Sequence, residues 1–227
     1  MASPNLDRTQ RRVMFAMDFR DPVTQRTVTD GLQVAAEGLG PPVRARSGLF
    51  VWFDLDPPAQ RQIRVTATST NNFYLPYDEV ITTPEHVPNI PASSLRMPRL
   101  LRPTGLYEPP EGLTGAAGWL VEDDALAPVA DAEVAIAFRH ASNQDFISAY
   151  LAATDAAGGF VAVASDLGDV RPDPAPPGAE ANILGWLVVT RPSLPPRFTS
   201  FLPLRAGRLV RLAAPLLWKD LENQSPP

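Results

Sequence analysis

The chain has 227 residues, of which 44% are hydrophobic, with 26 prolines, no cysteine and a formal net charge of -5 at pH 7. This length and apolar content allow one large domain or two small ones. The missing cysteines exclude disulfides, thiol catalysis and thiolate metal sites. The negative charge argues against sequence-independent binding to nucleic acid or to an anionic membrane.

The start of the chain has no targeting signal that we recognise. Residues 1–5 lack the basic start of a secretory signal, and the apolar stretch 13–17 ends at Asp18. No run approaches the roughly 20 apolar residues of a membrane helix. We therefore expect a product made in the cytoplasm without membrane insertion, and we leave open its later incorporation into an extracellular or phage-like particle.

Residues 9–83 predict an N-terminal β-sandwich module made of short strands. Large apolar residues recur at every second position over 13–19, and apolar and polar residues alternate over 63–67; both patterns are typical of strands with one buried face. A turn at 29–31 precedes a further strand over 32–36. Residues 49–55 are apolar at nearly every position, so this strand is either covered on both faces or keeps one face for a partner.

Residues 84–114 are rich in proline and predict an extended, semi-rigid linker that sustains neither a ladder nor a helix. Within the linker, residues 95–102 are both apolar and basic. The apolar residues of this stretch either pack on the chain's own modules or form a docking strap for a neighbouring subunit. They are our first candidates for partner binding: Leu95, Met97, Leu100 and Leu101.

Residues 115–221 predict a second β-sandwich module. Alternating apolar residues indicate strands over 134–138 and 147–151, and residues 183–190 form another nearly all-apolar strand. Residues 154–160 have the pattern of a hairpin, in which Asp155 accepts a hydrogen bond from its own turn and Gly158 is left-handed. The proline-rich stretch 171–178 is expected to be a long exposed loop, and shorter strands are expected near 198–201 and 209–212.

The two modules share a loose internal repeat, and their motifs resemble a known family. The second module contains Pro128-Val129-Ala130-Asp131-Ala132-Glu133-Val134 and, after it, Thr154-Asp155-x-x-Gly158-x-Phe160. Both motifs are similar to those of the carboxypeptidase regulatory-like domains. Asp131 stands where that family usually has glycine, and the insertion at 171–180 is longer than usual. The first module resembles the family more weakly, through 28–34 and 46–50.

The resemblance implies an all-β fold of two tandem Ig-like or transthyretin-like β-sandwiches joined by a proline-rich linker. It also implies an accessory module that spaces, docks or binds and has no catalytic role. Such modules occur beside enzymes, on cell surfaces, and as parts of phage tails and related contractile injection machines.

Residues suited to catalysis or metal binding are sparse. The only two histidines are His86 and His140, and no Gly-x-Ser-x-Gly elbow frames a serine. Carboxylates gather at 122–124 and at Asp166, Asp169 and Asp173, where solvated turn residues are expected and calcium ligands remain an alternative. We therefore predict no enzyme, no catalytic residue, no cofactor and no metal.

The four tryptophans are the strongest single-residue candidates for binding. Core packing is the usual role of a tryptophan in an apolar strand, but Trp52 and Trp186 lie in strands that are apolar on both faces. Each of these two therefore either packs in a core or faces an interface or a sugar. Trp119 lies beside an apolar strand. Trp218 is expected to attach the C-terminal segment to its own module or to a neighbour.

We therefore expect a non-catalytic structural or docking subunit of a multi-protein assembly, with other protein subunits as partners. A phage-tail-like or contractile injection particle is the specific hypothesis. The alternatives are a surface module that binds carbohydrate or protein, which requires a row of exposed aromatic residues, and an accessory domain of a separate enzyme.

Overall fold

The structure, a computed structural model, describes residues 12–54, 60–85, 90–139, 145–148, 150, 152–164 and 182–222. Within these ranges the regular elements are β-strands and two short 3₁₀ helices, Ala92–Leu95 and Trp218–Asp220. The all-β prediction is confirmed. The loop predicted at 171–178 lies outside the described residues, as do both histidines.

The described residues fall into two compact units. The first contains the residues up to 71 together with 76–101, and the second contains 72–75 together with 102–222. The stretch 84–114, which we expected to be a linker, is therefore divided between the two units at residue 101.

The first unit has seven strands in two sheets. A four-stranded sheet has the order β3-β4-β1-β7, and a three-stranded antiparallel sheet has the order β2-β5-β6. The strands are β1 (Arg12–Arg20), β2 (Leu32–Ala36), β3 (Val43–Arg44), β4 (Phe50–Asp54), β5 (Gln62–Ser69), β6 (Tyr77–Thr82) and β7 (Arg96–Leu100).

The expectation that the proline-rich stretch sustains no ladder is wrong for β7. This strand pairs in parallel with β1, and the ladder continues with a hydrogen bond from Leu101 N to Arg20 O at 2.9 Å. Because successive N–H groups of a strand alternate in direction, the nitrogen of Pro98 faces away from β1. A proline is tolerated there because β7 is an edge strand and no donor is needed.

The alternation in β5 is confirmed, but the one-sided strand expected for β1 is wrong. In β5, Ile63 and Val65 are buried, whereas Gln62 and Arg64 are exposed. In β1 both faces are buried, with Phe15 and Phe19 on one face and Ala16 on the other. Even Asp18, which alternation assigns to solvent, is fully buried.

The second unit has ten strands. One sheet has the order β10-β9-β13-β14, with β11 added to β9 and β15 added to β13; the other has the order β12-β8-β16, with β17 added to β8. The strands are β8 (Gly115–Val121), β9 (Glu133–Arg139), β10 (Asp145–Ile147), β11 (Ala152–Ala153), β12 (Gly159–Val163), β13 (Asn182–Thr190), β14 (Arg197–Phe198), β15 (Leu202–Arg205), β16 (Leu209–Arg211) and β17 (Leu216–Leu217).

The two units share one pattern of strand pairing. In the first, β1 pairs antiparallel with β4 and parallel with β7. In the second, β8 pairs antiparallel with β12 and parallel with β16. The antiparallel set β2-β5-β6 likewise corresponds to β9-β13-β15. By this pairing β1 corresponds to β8, and β5 corresponds to β13.

The turn chemistry predicted at 154–160 is confirmed, but the hairpin is wrong. Asp155 Oδ1 accepts hydrogen bonds from the N–H groups of Ala157 and Gly159 at 2.9 and 2.8 Å, and Gly158 has a φ of 75°. The strands on either side, however, belong to different sheets, since β11 pairs with β9 and β12 pairs with β8. The turn carries the chain from one sheet to the other.

Candidate partner-binding surface

The sheet containing β9 and β13 buries apolar side chains on both of its faces. On one face lie Ile136, Phe138 and Leu187, all buried. The opposite face carries a separate buried cluster, formed by the side chains of Ala135, Ala137, Trp186 and Val188, against which Phe198 packs. This second cluster lies on the outer face of the sheet.

Three large apolar side chains around that cluster are exposed. Ile147, Leu184 and Phe201 have relative exposures of 52%, 46% and 40%. Directly paired residues project from the same face of a sheet, and the register aligns Ile147 with Ala137 and Ala137 with Trp186. Phe201 meets the Trp186 ring edge-on at a centroid distance of 5.9 Å.

We call these residues together the apolar face: Ile147, Leu184, Trp186, Val188, Phe198 and Phe201. Exposed apolar side chains grouped on one surface are typical of protein interaction sites, whereas scattered ones are ordinary. The sequence marked 183–190 as apolar on both faces, but Ile147 lies on β10 and Phe201 lies just before β15, and neither was predicted as part of this surface.

The corresponding face of the first unit is polar. There the outward side chains of β5 are Gln62, Arg64, Thr66 and Thr68. Two nitrogens of Arg64 donate to the two carboxylate oxygens of Asp78 at 2.7 and 2.5 Å, and this contact lowers the pKa of Asp78. The shared pairing pattern therefore does not require an apolar outer face, and its presence in the second unit needs a separate cause.

Most of the residues predicted to bind a partner lie in cores. Trp52 is buried, stacks on Phe15 at a centroid distance of 4.8 Å, and donates its indole N–H to Gly40 O at 3.1 Å. Trp186 is buried within the apolar face, where Phe201 and its other neighbours cover it. Neither indole is open to a partner.

The four candidate residues of the predicted strap, residues 95–102, differ in how far their side chains are exposed. Leu95 and Leu101 are buried, Met97 is half-buried, and Leu100 is 55% exposed. The strap thus packs on its own unit through three of its apolar residues. Leu100 alone among the four presents a largely open side chain.

A buried carboxylate fixes the strap to β1. Asp18 Oδ2 accepts hydrogen bonds from Arg20 Nε at 2.6 Å and from Arg96 Nε at 2.9 Å, while Thr27 donates to Oδ1 at 2.7 Å. Burial alone would raise the pKa of Asp18, but the hydrogen bonds from Thr27, Arg20 and Arg96 outweigh it and lower that pKa below its ordinary value. Asp18 therefore stays charged and holds β7 in place.

Trp218 attaches the C-terminal segment to its own unit. Its ring lies between two guanidinium groups, with Arg197 at 4.4 Å and Arg191 at 5.0 Å from the centroid. Arg197 also donates to Trp218 O at 2.7 Å. Of the two attachments that the sequence left open, the structure shows the one within the chain.

The acidic group at 122–124 has structural partners. Glu122 accepts two hydrogen bonds from Arg191 at 2.8 and 2.7 Å, Asp124 pairs with Lys219, and Asp123 accepts from Ala125 N at 2.9 Å. No group of three or more metal-ligating side chains occurs within the ranges that the structure describes. The second acidic group, at 166–173, lies outside those ranges.

Trp119 is the exposed member of the four candidate tryptophans. It is 53% exposed, whereas the other three tryptophans are buried. Its partner on β12 is Gly159, and its neighbour in sequence is Gly118. Gly159 leaves the indole open, because directly paired residues share a face and Gly159 has no side chain to cover Trp119.

A cleft of about 580 Å³ lies elsewhere in the second unit, between residues 108–113 and 207–211. Pro109, Pro110 and Leu113 form its apolar part, and the side chains of Glu111 and Arg211 at its border are exposed. The mixture of charges leaves no net preference for an anion or a cation.

The chain matches no family model, no curated protein and no solved structure. The resemblance to the carboxypeptidase regulatory-like domains therefore stays a prediction. Among the described residues, no helix is both long enough and apolar enough to cross a membrane.

Proposed function

We propose that this chain is a non-catalytic docking subunit of a multi-protein assembly, and that it binds a protein partner through the apolar face of the second unit. The observation that carries the proposal is the contrast between equivalent faces. One unit places an Arg64–Asp78 ion pair on this surface, whereas the other exposes Ile147, Leu184 and Phe201 there. A surface that only faces water gains nothing from that exchange.

A protein partner fits this surface better than a carbohydrate does. Sugar-binding sheets require exposed aromatic rings in a row. The exposed aromatic residues of the described chain instead lie on β4, β8, β10 and just before β15: Phe53, Trp119, Phe146 and Phe201. Aliphatic Ile147 and Leu184 complete the apolar face, and such side chains favour burial against another protein core.

The finer assignments rest on sequence resemblance and stay predictions. They are a pair of tandem Ig-like or transthyretin-like sandwiches and membership of a phage-tail-like or contractile injection particle. Co-expression with tail-tube, sheath and baseplate subunits of a contractile particle tests the second assignment. A chain that joins none of them in that experiment contradicts it.

Substitution of Leu184 by glutamate is expected to weaken partner binding about 10- to 100-fold, because a charge would be buried in an apolar interface. Leu184 is nearly half exposed, so folding is expected to persist. The measurement is co-purification of the tagged full-length chain with the proteins of its own assembly, followed by titration of the purified partner.

Thr68→Glu is the matched control, since Thr68 is exposed on the corresponding face of the first unit. Equal binding by L184E and the unsubstituted chain, or an equal loss in T68E, would contradict the docking role of the apolar face. Far-ultraviolet circular dichroism verifies that both variants fold.

A further inference from the structure

Strand β6 has an open edge without proline, lysine or a β-bulge. Among the described residues it pairs only with β5, and its sequence Tyr-Asp-Glu-Val-Ile-Thr contains no proline, lysine or glycine. The pairing of β5 with β6 is continuous over six residue pairs. Proteins ordinarily protect such an edge with charged side chains, proline or a bulge, because its unpaired backbone groups invite another strand. The two charged residues of β6 are each neutralised by an arginine of the same unit, Asp78 by Arg64 and Glu79 by Arg99.

The edge of β7 provides the contrast within the same unit. Pro98 removes a donor from the outward side of that strand, as described above. The β7 edge of the four-stranded sheet is thus protected against the addition of another strand. The β6 edge of the three-stranded sheet has no such proline. At the centre of β6 lies Val80, which is 62% exposed.

The direction of the β6 backbone groups can be read from its pairing. Thr83 N–H donates to Arg61 O, so the odd-numbered N–H groups of this segment point toward β5. The even-numbered groups, at Asp78, Val80 and Thr82, point outward. These are the positions whose donors and acceptors are available to an added strand.

We propose that β6 pairs antiparallel with the β6 strand of a second copy of this chain, about a two-fold axis at Val80. In this register Val80 faces Val80 of the second copy, and Asp78 faces its Thr82. All three pairs are of the hydrogen-bonded type, because each joins outward-pointing positions. The dimer would join two β2-β5-β6 sheets into one.

The register is self-complementary in charge as well as in hydrogen bonding. Glu79 faces Ile81 of the second copy, so no carboxylate lies directly opposite another. Asp78 already has its Arg64 partner, with both contacts at 2.7 Å or less. The two exposed Val80 side chains meet at the axis, as an isologous interface requires.

Single-cysteine variants of the full chain test the pairing, because the sequence contains no cysteine. In Val80→Cys, the two Cα atoms at residue 80 would be about 5.5 Å apart, within the disulfide range. In Thr82→Cys, the two copies of residue 82 would lie four residues apart along the strand, about 13 Å. After mild oxidation we expect at least about tenfold more disulfide-linked dimer from V80C than from T82C.

Sedimentation equilibrium measures dimerisation without cross-linking. The unsubstituted chain is expected to dimerise, and Val80→Lys is expected to weaken the dimer about tenfold or more, since two like charges would meet at the axis. Residue 80 is exposed, so V80K retains its fold. A monomer at every concentration, equal cross-linking of V80C and T82C, or an undiminished V80K dimer would each overturn the proposal.

Discussion

Replacing Gly158 with alanine is expected to lower the free energy of unfolding of the second unit by about 3–5 kcal/mol. Gly158 has a φ of 75°, in the left-handed region where a side chain is strained. A Cβ atom at this position would also lie 2.3 Å from Leu120 O. That oxygen accepts a hydrogen bond from Val129 N at 3.0 Å, so moving it would disturb the connection into β9.

Gly112→Ala separates backbone strain from the clash. Gly112 belongs to the same unit and has a φ of 87°, but no atom lies within 4 Å of where its Cβ would be. Only the conformational cost remains, about 1–2 kcal/mol. Denaturant unfolding followed by tryptophan fluorescence measures both variants. Equal losses would show that contact with Leu120 contributes nothing.

Replacing Asp18 with asparagine is expected to destabilise the first unit by about 3 kcal/mol, since removing one member of a buried ion pair leaves its partners uncompensated. Arg96 and Arg20 retain partial solvent exposure, which limits the cost for those two residues. Asp78→Asn is the matched control, because its ion pair with Arg64 is exposed and its loss is expected to change stability little.

The Asp18→Asn substitution is also expected to change how the stability of the first unit depends on pH under acidic conditions. The pKa of Asp18 is lower in the folded chain than its ordinary value, so its contribution is present above the unfolded-state pKa. That contribution is lost as the pH falls through the folded-state pKa. Denaturation midpoints measured between pH 6 and pH 2 are expected to decline less in D18N, and parallel declines would contradict the assignment.

The elements that could be predicted from sequence are those set by neighbouring residues. Alternation gave β5 because one of its faces is buried and the other meets water. The turn at Asp155 and Gly158 was predictable because carboxylate acceptance and a left-handed glycine are both local chemistry. Such features need no knowledge of which strands meet.

Pairing between distant strands was beyond sequence reasoning. No residue near Pro98 indicates that β7 lies beside β1. The ladder between these strands is possible because the nitrogen of Pro98 faces away from β1. The burial of Asp18 follows from the same pairing, since Arg96 arrives on β7 to cover it. A period-two pattern reports solvent exposure only when the neighbours of a strand are known.

The candidate surface shows the same division. An apolar strand at 183–190 was correctly identified, but the covering of Trp186 depends on Phe201, which follows it by 15 positions in the chain. The exposure of Trp119 could not be predicted, because it is set by Gly159 on the paired strand. Residue type predicted which side chains are suited to binding a partner. The order of strands in the sheets determines which of those side chains are exposed.

The parallel pairing of β1 with β7 also has a consequence for biosynthesis. About 80 residues separate the ends of these strands, residues 20 and 100, and translation at about 5–20 residues per second needs roughly 4–16 s to supply them. During that interval the edge of β1 that pairs with β7 remains without its partner strand on the nascent chain. The amino-terminal unit therefore matures late, and its high contact order favours slow closure after the ribosome has delivered Leu100.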